Sequence, residues 1–119
     1  MADLTIYEKS ICTTCRSLSA LLDARGIDAD RVQYHVDGID EATIRELLAK
    51  AEIGPRDALR VRDPLVAELG LLEGMGVGDD ELIALMARHP VLLQRPIVVR
   101  GDRAVLARPV ERVLELLDD

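Results

Sequence analysis

The chain has 119 residues and a net charge of −7, from 22 acidic and 15 basic side chains. That length suits one domain with one core, and 49% hydrophobic beside 31% charged residues excludes a disordered chain. The acidic balance disfavours nonspecific nucleic-acid binding, which relies on neutralising phosphates, and Tyr7 and Tyr34 are the only aromatics on which bases could stack.

No nucleic-acid partner is therefore expected. No apolar run approaches the roughly 20 residues of a membrane span, and Met1-Ala2-Asp3 opens no signal-peptide pattern. The expectation is a cytoplasmic protein with no membrane contact. With Trp and Phe absent, the core must be built from Leu, Ile, Val and Ala. Of the 15 basic residues, 13 are Arg, and only Lys9 and Lys50 are Lys. That bias suits paired hydrogen bonding to oxyanions, and GC-rich coding would produce it equally well.

Residues 3–7 read as a short buried strand. The stretch Ile11-Cys12-Thr13-Thr14-Cys15-Arg16 follows and leads into a helix over 17–25, with Leu18, Leu21 and Leu22 at helical spacing. Gly26 fits its C′ position. Residues 31–36 alternate, with Val32, Tyr34 and Val36 on one face, and read as a second strand. Strand, helix, strand favours a parallel pair with a right-handed crossover.

From Asp40 the pattern turns helical. Asp40 caps a helix whose apolar stripe is Ile44, Leu47 and Leu48, ended by Gly54-Pro55. Residues 64–69 form a short helix closed by Gly70, and 74–78 a glycine-rich connector. Asp79 or Asp80 caps the next helix, with Leu82, Ile83, Leu85 and Met86 apolar, and His89-Pro90 stops it. A strand over 95–99, a Gly101-Asp102 turn and a returning strand over 104–107 form a hairpin. Pro109 suits N1 of a last helix with Val110, Val113, Leu114 and Leu117 inward. The order is β-α-β, a helical block, then β-β-α. The fold class expected is α/β, a thioredoxin-like fold with a small mixed sheet. Residues 1–119 then form a single thioredoxin-like domain, with a helical insertion over about 39–90.

Cys12 and Cys15 are the only cysteines. A Cys-x-x-Cys between strand and helix is a redox signature. At a helix N-terminus, unpaired N–H groups and the helix dipole favour a thiolate. Cys12 lies just ahead of the helix, Cys15 is close enough to close a disulfide, and Arg16 adds positive charge. Thr13 or Thr14 could cap the helix. A metal site would need two more soft ligands. His35 and His89 lack ligand spacing, so no metal is expected.

The chain resembles the arsenate reductase family of the thioredoxin-like, glutaredoxin-coupled type, together with its Spx-like relatives. The resemblance runs through the Cys12 loop, Ala58-Leu59-Arg60 with Ala67-Glu68-Leu69-Gly70-Leu71, His89-Pro90 with Arg95-Pro96-Ile97-Val98-Val99, and Arg108-Pro109. It implies Cys12 as nucleophile and Arg60, Arg95 and Arg108 as oxyanion ligands. It also implies Pro96 as the cis-proline opposite the cysteine. Thr13, Thr14 and Arg16 then belong to the catalytic loop. Arg56, Arg62, Arg100 and Arg103 read as solvated surface charge.

The implied activity is reduction of arsenate to arsenite by an enzyme with no bound cofactor. Glutathione with glutaredoxin, or thioredoxin, would supply electrons, and a monomer is expected. Two departures stand out. Glu8 replaces a histidine four residues before the cysteine, where a carboxylate pointing inward would raise the thiol pKa; it could instead face solvent. Cys15 replaces a usual serine, as in the Spx branch, where the pair is a redox switch. An Spx-like regulator that binds RNA polymerase, or a general thiol-disulfide oxidoreductase, are therefore the alternatives.

Overall fold

In the computed structural model, residues 4–9, 13–71 and 76–117 are described. Four strands form one sheet in the order β2-β1-β3-β4. They are β1 (Leu4–Tyr7), β2 (Ala29–Val32), β3 (Ile97–Arg100) and β4 (Arg103–Leu106). β1 and β2 are parallel and joined through helix α1 (Thr13–Ala24), whereas β1–β3 and β3–β4 are antiparallel. The sheet is thus mixed, and the fold is the thioredoxin-like α/β class expected. Between β2 and β3 lie the helices α2 (Tyr34–Asp37), α3 (Glu41–Ala51), α4 (Pro64–Glu68) and α5 (Asp79–Arg88).

Alternation along the strands sorts side chains into two apolar layers. Leu4 and Ile6 face one side with Val98 and Val105, and pack on Leu18 and Leu22 of α1. Val113 and Leu116 close that layer. They come from a 3₁₀ turn at Val110–Val113 and the short helix α6 (Leu114–Leu117). Tyr7 and Ile97 face the other side, where Ile44, Leu47 and Leu48 of α3 and Leu82, Ile83 and Met86 of α5 are buried. The absence of Phe and Trp leaves Tyr34 as the largest fully buried side chain.

Local chemistry sets most element ends. α1 closes with a Schellman arrangement: Gly26, at φ 68°, donates to the Asp23 carbonyl and Ile27 to that of Leu22. Asp40 caps α3 by accepting from the Thr43 amide at 2.7 Å, and Asp63 caps α4 by accepting from the Leu65 amide at 3.0 Å. Gly101, at φ 63°, supplies the tight two-residue turn between Arg100 and Arg103.

Several ends differ from expectation. The second strand stops at Val32, where its partner β1 also stops, and residues 34–37 coil into α2. The alternation over 31–36 imitated a strand, but Tyr34 turns inward while Val36 is 74% exposed. Thr13 and Thr14 are the first two residues of α1, so neither sits outside the helix as a cap must. α3 ends at Ala51 with Glu52 in the left-handed region (φ 57°), ahead of Gly54-Pro55. Gly78, rather than an aspartate, is the N-cap of α5; Asp79, Asp80 and Glu81 fill its first turn, where they complement the helix dipole. Pro109 precedes a 3₁₀ turn and not the α-helix itself. The glycine connector lies partly outside the described residues, and so do Asp3, Ile11 and Cys12.

Glu8 follows β1 directly. It is 2% exposed, yet its carboxylate neither faces solvent nor lacks partners. It accepts from Arg31 Nη1 at 2.9 Å and from Gln33 Nε2 at 3.2 Å, and its amide donates to the Val32 carbonyl. Arg31 also donates to Ser19 Oγ at 2.7 Å, so one guanidinium ties β1, β2 and α1 together.

Removing Arg31 would leave the buried carboxylate uncompensated. Because that guanidinium is itself 34% exposed, Arg31→Met should cost about 1.5–3 kcal/mol in urea unfolding. Glu8→Gln should cost less; equal stability of Arg31→Met and wild type would contradict the pairing. Hydrogen bonds from Thr43 hold the Asp40 carboxyl below its ordinary value of 3.8. A depressed folded pKa adds stability above the unfolded value, lost as pH falls through the folded one. Asp40→Ala should therefore lower the melting temperature at pH 7, and the gap should narrow below pH 3.8.

Candidate active site

Two loops converge at the end of the sheet where β1 finishes and β3 begins. Residues 58–60 run alongside residues 92–94: the Arg60 amide donates to the Leu92 carbonyl and the Gln94 amide to the Ala58 carbonyl, both at 2.7 Å. Leu59 and Leu93, both buried, sit opposite one another in this short antiparallel bridge. The clasp carries Arg60 up to Gln94, whose side-chain oxygen accepts from Arg60 Nη1 and from the Arg95 amide, each at 3.4 Å.

The third arginine arrives from the far end of β4. The Ala107 amide donates to the Pro96 carbonyl, and Arg108 Nη1 donates to the Arg95 carbonyl at 2.8 Å. Arg60, Arg95 and Arg108, dispersed in the sequence, are therefore neighbours. Both the Arg95-Pro96 and the Arg108-Pro109 peptides are cis. Arg60, Val61, Arg62, Gln94 and Arg108 line an open pocket of about 230 Å³. A larger hollow of about 400 Å³, beyond Tyr7, is lined by Asp37 and Asp40 and by no basic residue, which suits an anion poorly.

Arg95 is 6% exposed, and its Nε is buried without a hydrogen-bond partner among the described residues. A buried cationic donor left open in this way is costly unless a ligand completes it. Cys15 lies in the first turn of α1 and is 1% exposed, whereas Arg16 points outward. Cys12 immediately precedes the first helical residue in the chain, and its own placement is outside the described residues.

Three participants were not apparent from sequence. Arg62, read as surface charge, lines the pocket with Arg60; its position two residues after Arg60 in a turn was the available hint. Gln94 precedes Arg95 directly and bridges two of the arginine-bearing segments. Tyr34 donates from its hydroxyl to the Leu93 carbonyl at 2.6 Å. Burial pushes its phenol up to about 12, with the nearby Arg95 and Arg60 guanidiniums acting the other way. It stays a neutral donor throughout the physiological range. The other arginines read as solvated are also engaged. Arg56 donates to the Leu71 carbonyl and Arg100 to that of Leu116, both at 2.7 Å, and Arg103 donates to the Glu115 carbonyl.

Among the described residues no group of three or more His, Cys, Asp and Glu could hold a metal, and no helix is long and apolar enough to cross a membrane.

Residues 7–116 match the model of the ArsC family. An arsenate reductase of Synechocystis sp. is 36% identical over 115 residues, covering 97% of this chain and 81% of that protein. An arsenate reductase of Neisseria meningitidis is 33% identical over 118 residues, covering 98% of this chain and all 100% of the relative. Among solved structures, an arsenate reductase from Vibrio cholerae superposes with a TM-score of 0.88 at 34% identity, covering 94% of this chain and 95% of the other. With that match spanning residues 7–116, the chain belongs to the ArsC family.

Proposed function

We propose that the protein is an arsenate reductase that binds its substrate through Arg60, Arg95 and Arg108 and reduces it through the Cys12 thiolate. The observation that carries the binding half is the buried Arg95 guanidinium, with its Nε unfilled beside two further arginines. Arsenate is a tetrahedral anion with oxygens on every side. Guanidinium groups remain charged and present planar paired donors to such oxygens. Fixed in the fold before substrate arrives, they stabilise the charge that shifts among the oxygens as sulfur attacks arsenic.

The attacking group is the thiolate of Cys12, which its place in the chain just ahead of α1 favours. Its sulfur bonds to arsenic, and one arsenate oxygen, protonated, leaves as water. A second thiol then attacks the Cys12 sulfur. The S–As bond breaks, its electron pair passes to arsenic, and arsenite departs. Two thiols have become one disulfide, and arsenic has gained two electrons.

The second thiol comes from glutathione, with glutaredoxin clearing the mixed disulfide, or from Cys15, with thioredoxin or glutaredoxin reducing the internal one. Cys15 is only 1% exposed, so a partner protein has no direct access to its sulfur. The Glu8 carboxylate, the strongest argument for a general thiol oxidoreductase, is already compensated by Arg31 at 2.9 Å.

The test is arsenate-dependent NADPH oxidation, with the protein coupled separately to the thioredoxin system and to glutathione with glutaredoxin. Cys12→Ser should abolish turnover, and Arg95→Ala should lower kcat/KM by roughly 10²–10³, the usual loss for one preorganised oxyanion donor. Unchanged turnover of Cys15→Ser with glutathione and glutaredoxin would exclude Cys15 as the required second thiol. Absence of turnover with either system, from protein whose Cys12 still titrates as a reactive thiol, would overturn the assignment in favour of an Spx-like regulator or a general thiol oxidoreductase.

A further inference from the structure

Tyr34 is the largest of the fully buried side chains, and it comes from a segment far from the site in the chain. Its ring belongs to the apolar layer formed by α3 and α5. The hydroxyl, however, ends among polar groups. It donates to the Leu93 carbonyl at 2.6 Å, in the same short bridge that delivers Arg60 to Gln94. Arg95, two residues on from Leu93, carries its guanidinium close enough to act on the phenol electrostatically. Cys15 and Arg60 are also close enough to act on it electrostatically.

We infer that Tyr34 is a positioning residue for the oxyanion site: by donating to the Leu93 carbonyl it anchors the segment that carries Arg95 and so fixes that guanidinium for the anion.

The inventory of donors and acceptors supports this. A phenol has one proton to give and lone pairs to receive with. The Leu93 carbonyl takes the proton, so the oxygen is left as an acceptor. Arginine has five donors and no acceptor. Beside a neutral phenol Arg95 keeps its full charge for the anion, whereas a carboxylate in the place of Tyr34 would neutralise it. Burial prevents the phenol from ionising and becoming that competing anion. The unfilled Arg95 Nε stays open for substrate. A buried arginine also needs its rotamer fixed, since misplacement of an anion ligand by a fraction of an ångström is costly in rate.

This inference rests on the reading of Arg95 as an oxyanion ligand. Its test is a double-mutant cycle with Tyr34→Phe and Arg95→Ala, which keeps the ring and removes only the hydroxyl. Tyr34→Phe should lower kcat/KM for arsenate by about tenfold, as expected for losing one buried hydrogen bond that fixes the segment bearing Arg95. In the Arg95→Ala background it should cause less than about a twofold further loss, because the two act as one unit. A merely structural tyrosine would give the same loss in both backgrounds, and that additivity would overturn the inference.

A second readout is independent of turnover. Arsenate binding to Cys12→Ser protein, measured by calorimetry, should weaken by about tenfold when Tyr34→Phe is added. Unchanged affinity together with an additive cycle would refute Tyr34 while leaving the reductase intact. Weakened binding in a protein whose wild type shows no arsenate turnover would refute the reductase while leaving Tyr34 as the residue that sets Arg95.

Discussion

A guanidinium withdrawn from water must be compensated, and the structure compensates Arg95 only in part. Its side chain is 6% exposed, and the Nε has no partner among the described residues. The backbone carbonyl of the same residue accepts from Arg108, which brings a second cation close rather than separating the two charges. Accumulating arginines is unfavourable in isolation, since like charges repel and desolvation penalises each. The surrounding fold must therefore hold them together, and a bound anion would offset that cost.

The thioredoxin-like framework is well suited to that task. β1 occupies the middle of the sheet and leads toward the cysteine loop, while α1 turns its N-terminus to the same end. The helices inserted between β2 and β3 add the 58–60 segment, clasped to residues 92–94 by two 2.7 Å backbone hydrogen bonds. The C-terminal segment after β4 adds Arg108. Three separate lengths of chain thus each contribute one cation, and none could place it without the apolar layers behind. Glu8 and Arg31 play a different part, joining β1, β2 and α1 just ahead of the cysteine loop with their charges mutually compensated.

Much of the architecture was legible in the residues. The 3.6-residue spacing of Ile44, Leu47 and Leu48, the cap at Asp40, and the turn at Gly101 each act locally, so local reading finds them. Residues 31–36 misled because two-residue alternation is the mark of a strand, while sheet pairing ended at Val32 and a tertiary hydrogen bond to Leu93 drew Tyr34 inward. The convergence of Arg60, Arg95 and Arg108 had no local signature at all. Resemblance to a family identified those positions, and only the fold explains their meeting. Gln94 and Tyr34 escaped notice because an uncharged side chain acquires a role at such a site through its neighbours and not through its type.

The most direct measurement is a crystal structure of the Cys12→Ser protein soaked with arsenate. The account predicts arsenate at the mouth of the Arg60, Gln94 and Arg108 pocket, with an oxygen on the Arg95 guanidinium and others on Arg60 and Arg108. Arsenate bound elsewhere, with Arg95 Nε still unfilled, would contradict it.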